Sequence, residues 1–185
     1  MKGMINMKSL FVRFSMAAVM MLIYVTFWGC ATPVKPRPAP IEGGLTPELS
    51  TSATIYLMNG HSSSDTITLT KFDTGETYVA DRQLWTNVAI NVLSNELGKR
   101  GAKICEDDYS KLLILTIPGA NMPVLPLTFK VRLNLRIETG DGYVNNYFAD
   151  HVGHGFSPDR TADVAIAKIV KAVLSDRNIR NYLKD

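Results

Sequence analysis

Leu127-Thr128-Phe129-Lys130-Val131-Arg132-Leu133-Asn134-Leu135-Arg136-Ile137-Glu138 is the stretch that decides the fold. Leu127, Phe129, Val131, Leu133, Leu135 and Ile137 alternate without a miss against Thr128, Lys130, Arg132, Asn134, Arg136 and Glu138. A period of two is the signature of a β-strand with one buried and one polar face, and twelve residues make it a long one. Thr139-Gly140-Asp141-Gly142 then turns the chain into Tyr143 to Val152, where Val144, Phe148 and Val152 alternate less cleanly with Tyr143, Tyr147 and His151. An antiparallel partner is expected there.

On the C-terminal side the period changes. Ser157 is placed to cap and Pro158 to take the first helical position, after which Ala162, Ile166, Ile169 and Val173 form an apolar stripe opposite Lys168 and Lys171. A short helix from Asp176 to Leu183 closes the chain. On the N-terminal side, Pro118 to Pro126 holds three prolines and reads as a loop, preceded by a buried strand at Leu112-Leu113-Ile114-Leu115 and a short strand at Ile104. Before these, Asp81 caps a helix in which Trp85, Ala89, Ile90, Leu93 and Leu97 recur at helical spacing until Lys99, Arg100 and Gly101. Ile55 and Leu57 mark a first strand, and Ile67 and Leu69 with Thr77 to Ala80 a hairpin around Asp73-Thr74-Gly75. Two one-sided helices and a one-sided sheet bury each other in a two-layer α+β sandwich, with a mainly antiparallel sheet and a short C-terminal helix.

The first thirty residues belong to another regime. Lys2, Lys8 and Arg13 precede an uncharged, mainly apolar run from Phe14 to Trp28, then Gly29 and Cys30, and either Met1 or Met7 serves as a start. Fifteen residues is short for a membrane-spanning helix, which wants roughly 20, so a cleaved signal over 1–29 is expected in preference to an uncleaved anchor. Four prolines at 33, 36, 38 and 40 favour an extended spacer, so 30–51 reads as a tether holding the domain some 30 Å from the headgroups, with the domain itself at 52–185.

The formal charge of +3 is misleading, because beyond residue 29 basic and acidic side chains balance at 17 each. A balanced domain lacks the basic excess of a nucleic-acid binder. Only Cys30 and Cys105 are present. A lipid on Cys30 would leave Cys105 as a lone thiol, expected as a small buried strand residue. Trp85 and Tyr78 read as core.

No Gly-x-Ser-x-Gly, phosphate-loop or His-Glu-x-x-His motif occurs, so no catalytic set, cofactor or metal is expected. His151 and His154 with Asp150 are the nearest approach to a metal site, but 151 and 154 fall on opposite faces of a strand. Asp107 and Asp108 read as an acidic turn. Lys130, Arg132 and Arg136 share a strand face with Asn134 and are the candidate partner-binding residues. A solvated outer face that discourages edge pairing accounts for the same pattern.

Cysteine after an apolar run, with glycine before it, resembles the lipoprotein cleavage box, although Phe27 and Trp28 stand where leucine-like and small residues are usual. Together with the helix Leu84 to Ala102, the strand Leu112 to Ile117 and the tail Ala165 to Leu183, it makes the chain resemble the YajG-type family of bacterial lipoproteins. The lipopolysaccharide-assembly and ABC-transport auxiliary lipoproteins are a looser likeness. The resemblance implies an outer-membrane lipoprotein facing the periplasm, lipidated at Cys30 and without known enzymatic activity; Ala31 is not the aspartate typical of inner-membrane retention. A non-enzymatic binding or assembly module, without a cofactor and acting on an envelope protein, is the expectation; the alternative is a carrier of a lipid or peptidoglycan-type ligand in a pocket between helix and sheet.

Overall fold

The alternating stretch lies in the middle of the main sheet. The computed structural model describes residues 31–41, 49–153, 155 and 157–184. Its elements are β1 (Ala31–Pro33), β2 (Thr54–Asn59), β3 (Thr66–Lys71), β4 (Thr77–Asp81), α1 (Arg82–Gly98), β5 (Lys103–Ile104), β6 (Lys111–Asn121), β7 (Val124–Leu125), β8 (Thr128–Thr139), β9 (Val144–Val152), α2 (Pro158–Ser175) and α3 (Arg177–Lys184). The main sheet runs β5-β2-β6-β8, with β9 and the short β7 also pairing to β8, and a smaller sheet runs β1-β4-β3. The chain is α+β, and α1 and α2 cover one face of the main sheet.

Phe129, Val131, Leu133, Leu135 and Ile137 on β8 are all buried. They pack into one core with Trp85, Leu93 and Leu97 of α1 and Ile166, Ile169 and Val173 of α2. Each such side chain contributes about 2 kcal/mol by leaving water, which is why the two-residue period dictates which face meets the helices. Asp81 caps α1 by accepting from the Leu84 amide, and Ser157 caps α2 by accepting from the Arg160 amide, with proline at the first position. Both caps stand where the sequence places them.

Several expectations are corrected. Pro118 to Pro126 is not a loop: β6 continues through Pro118 to Asn121 and β7 follows at once. The pairing with β8 slips between Thr116 and Gly119, and that bulge accommodates a residue with no N–H to give. The main sheet is mostly antiparallel, as expected, and β2 is its exception, pairing in parallel with both β5 and β6. The chain returns from β2 to this sheet through α1, and a crossover of that kind delivers a parallel strand. Leu127, first of the alternating series, precedes β8 in a turn and is 76% exposed. Cys105 follows β5, is half-exposed, and donates from Sγ to the Asp107 carbonyl at 2.6 Å.

The largest correction concerns the proline-rich stretch. Residues 31–41 lie on the domain and do not form a free spacer. β1 pairs in parallel with β4, the Val34 amide donates to the Val79 carbonyl at 2.9 Å, and the Val34 side chain is buried. Trp85 Nε1 donates to the Val34 carbonyl at 3.0 Å. The Lys35 amide then donates to Asp159 Oδ1 at 2.9 Å and the Arg37 amide to Asp163 Oδ1 at 2.6 Å, both on α2. Beyond them, Pro38 to Ile41 runs between Val92 and Glu96 of α1 and Val164 and Ala167 of α2. Prolines at 33, 36, 38 and 40 keep the strap extended and remove four donors that would otherwise need partners, while amides between them find acceptors on the domain. Cys30, residues 1–29 and residues 42–48 lie outside the described residues.

Candidate functional site

The face of the main sheet turned away from the helices is the candidate site. Along β8 its outward residues are Lys130, Arg132, Asn134, Arg136 and Glu138, so the three candidate contact residues do share one face. Register decides their neighbours. On β9, Lys130 lies opposite Val152, Arg132 opposite Asp150, Asn134 opposite Phe148 and Arg136 opposite Asn146. On β6, Asn134 lies opposite Gly119 and Arg132 opposite Asn121.

This pairing builds a groove of about 610 Å³, lined by Gly119, Ala120, Arg132, Asn134, Phe148 and Asp150. The bulge in β6 brings two small residues beside the long side chains of β8, so the surface dips. A side chain added at Gly119 would start in open space, with no atom within 4 Å of its Cβ. Phe148 forms a wall of the groove and is 74% exposed. Asn134 Oδ1 is enclosed with no hydrogen-bond partner among the described residues, an acceptor whose desolvation is uncompensated.

The charges are not equally free. Lys130 Nζ lies 2.5 Å from Asp150 Oδ2, and that hydrogen bond, with the charge behind it, holds the Asp150 carboxyl below its ordinary range. Arg136 pairs with Glu138 on its own strand at 3.3 Å. Arg132 is the one of the three that lines the groove. Its charge also helps keep Asp150 ionised.

Other expected groups are dispersed. His151 lies on the opposite strand face from Asp150, opposite Val131, and His154 is outside the described residues. Among the described residues no three His, Cys, Asp or Glu side chains come together as a metal site. Trp85 is in the core, and Tyr78 sits edge-on between Phe72 and Phe129, at 5.7 and 5.6 Å between ring centroids. The pocket between helix and sheet that a carrier needs would have to displace packed groups, since Val131, Leu135 and Ile137 are fully buried against the helices.

Sequence reasoning missed Phe148 and Gly119. Phe148 was within reach: the tight turn at Thr139 to Gly142 pairs Glu138 with Val144, and counting back along both strands brings Phe148 opposite the outward Asn134. Gly119 was not, because its position depends on the bulge.

No family model and no curated protein matches the chain. Among solved structures, the DUF330 protein XCC0632 from Xanthomonas campestris is similar at 11% identity and a TM-score of 0.43, over 83% of this chain and 95% of that one. A PelC dodecamer from Paraburkholderia phytofirmans is similar at 15% identity and a TM-score of 0.37, over 72% of this chain and 95% of the PelC chain.

Proposed function

We propose that this chain is a lipoprotein of the bacterial outer membrane, facing the periplasm, that is anchored through Cys30 and works as a non-enzymatic binding or assembly module. The observation that carries the binding reading is the groove on the outer sheet face, with Phe148 left 74% in water beside Arg132, Asn134 and Asp150. A large exposed aromatic ringed by donors and acceptors matches the anchor-and-rim arrangement of recognition surfaces. The groove offers a ring, an amide, a guanidinium and a carboxylate, chemistry suited to holding a partner. Balanced charge beyond residue 29 disfavours nucleic acid, and an envelope protein is the proposed partner. The anchor rests on the apolar run Phe14 to Trp28 ending at Gly29-Cys30. Among the described residues no helix is long and apolar enough to cross a membrane.

A photo-crosslinking amino acid at Phe148 tests the groove in intact cells. A discrete adduct is expected, and it should vanish when Gly119→Leu fills the groove, a change for which the site has room. An adduct indifferent to Gly119→Leu, or none, defeats the groove. Mass analysis of the mature N-terminus tests the anchor separately: a diacylglyceryl-modified Cys30 is expected, and a free thiol or an uncleaved chain defeats it.

A further inference from the structure

Two features of the fold meet at one end of the molecule. β3 and β6 advance side by side. At one level, Arg82 donates from its amide to the Asp65 carbonyl, just before β3, and from its guanidinium to the Pro118 carbonyl on β6 at 3.0 Å. Four residues on along each chain, the Met122 amide donates to the Leu69 carbonyl at 3.0 Å. β3 therefore ends at Lys71 about where the other chain enters the β7–β8 hairpin. Lys71 pairs with Thr77, and Thr77 pairs with Ala31. The start of the described chain and the hairpin tip share this end, and the edge-on contact of Tyr78 with Phe129 ties them together.

The tip is apolar throughout. Val124 and Leu125 pair with Phe129 and Thr128, which leaves Pro126 and Leu127 as the turn. Val124 is 41%, Leu125 36% and Leu127 76% exposed. Val152, exposed beside Lys130 on β9, extends the patch. The apolar run Phe14 to Trp28 and Cys30 immediately precede Ala31 in the sequence, and Ala31 is held in the sheet, so a single peptide bond links Cys30 to this end of the domain. There is no slack between a membrane attachment at Cys30 and this end of the domain.

We infer that the Val124–Leu127 hairpin tip enters the lipid interface beside the attached N-terminus, as a second membrane contact made by the protein itself. This rests on the reading of Cys30 as the attachment point. A tip of this size reaches the boundary between headgroups and acyl chains, where Leu and Val side chains leave water while the Pro126 turn lacks one amide donor that would need a partner there.

The test uses the full lipidated chain with Cys105→Ser, reconstituted in vesicles of phosphatidylethanolamine and phosphatidylglycerol, with a nitroxide on Leu127→Cys or, as control, on Ser63→Cys in the loop at the Asp65 end. The label at 127 should collide with oxygen in preference to an aqueous nickel chelate several-fold more than the label at 63, and a label on Val124→Cys should lose that shielding when Leu127→Asp is added. Equal access of the chelate to 127 and 63 overturns the inference. The mass of the mature chain separates this from failure of the anchor: a shielded 127 with unmodified Cys30 supports tip insertion without the lipid, while an aqueous 127 with modified Cys30 sinks the tip alone.

Discussion

Asp176 gathers three side-chain donors. Its Oδ2 accepts from Tyr147 at 2.7 Å, Asn145 at 3.0 Å and Tyr143 at 3.1 Å, while Oδ1 accepts from the Asn178 amide at the start of α3. Burial works to raise its pKa, but the hydrogen bonds from Tyr147, the Asn178 amide, Asn145 and Tyr143 prevail and hold it below the ordinary value of 3.8. A lowered folded-state pKa contributes stability above the unfolded value, and that stability is lost as pH falls through the folded value. Asp176→Ala should cost about 2–4 kcal/mol in urea unfolding at neutral pH, because three side-chain donors and the Asn178 amide lose their acceptor. Asp176→Asn should show a shallower loss of stability below about pH 4 than the parent chain. Asp163 has the opposite sign: burial pushes its carboxyl up despite the Arg37 amide, so its share of stability is present in acid and lost as pH rises through its folded value. Leu127 sits at φ 62°, a left-handed conformation that disfavours a leucine by roughly 1 kcal/mol. Leu127→Asn, better suited to that backbone, should raise the unfolding free energy in solution by about 0.5–1 kcal/mol while weakening the proposed bilayer contact. Neither the hydrogen-bond role of Asp176 nor the left-handed backbone of Leu127 was legible in the sequence, since the partners of the first come from β9 and the turn before it, and the conformation of the second from the β7 pairing.

Among the elements, β8, the β3–β4 hairpin, α1 and α2 were legible because their signals are local: a period of two, a turn, a period of 3.6 and a cap. β9 was half legible. Its strand was expected, but Val144, Phe148 and Val152 face outward while Tyr147 turns in to reach Asp176. The outer-face charges were legible as a row, yet only register showed that Lys130 and Arg136 are engaged and that Arg132 borders the groove. The strap is the element whose conformation was read and whose place was not. Trp85→Phe should cost about 1–3 kcal/mol, because the Val34 carbonyl loses its donor in a buried setting, and amide exchange at Val34, Lys35 and Arg37 should quicken. Unchanged protection at those amides would show that the strap holds without the tryptophan.

For the whole molecule, docking of residues 31–41 would turn the proposed attachment at Cys30 from a leash into a mount. A free tether would let the domain tumble independently of the bilayer; a mounted one turns with it. A fluorophore on Ser63→Cys of the lipidated chain on vesicles should therefore show slow anisotropy decay, and Val34→Asp, which puts a charge where a buried valine sits, should restore fast independent motion. Fast decay in both proteins would mean that the strap does not hold the domain on the membrane.

The amino-acid sequence alone determined the kinds of element, their caps, the inward face of β8 and the α+β class, because each follows from bonds and periods within a few residues. Tertiary structure decided that the prolines lie against the helices, that β6 runs through Pro118, that Phe148 stands beside Asn134, and that the apolar tip shares an end with Ala31. An extended proline-rich chain looks the same whether its amides meet water or Asp159 and Asp163, and only the placement of α2 tells the two apart.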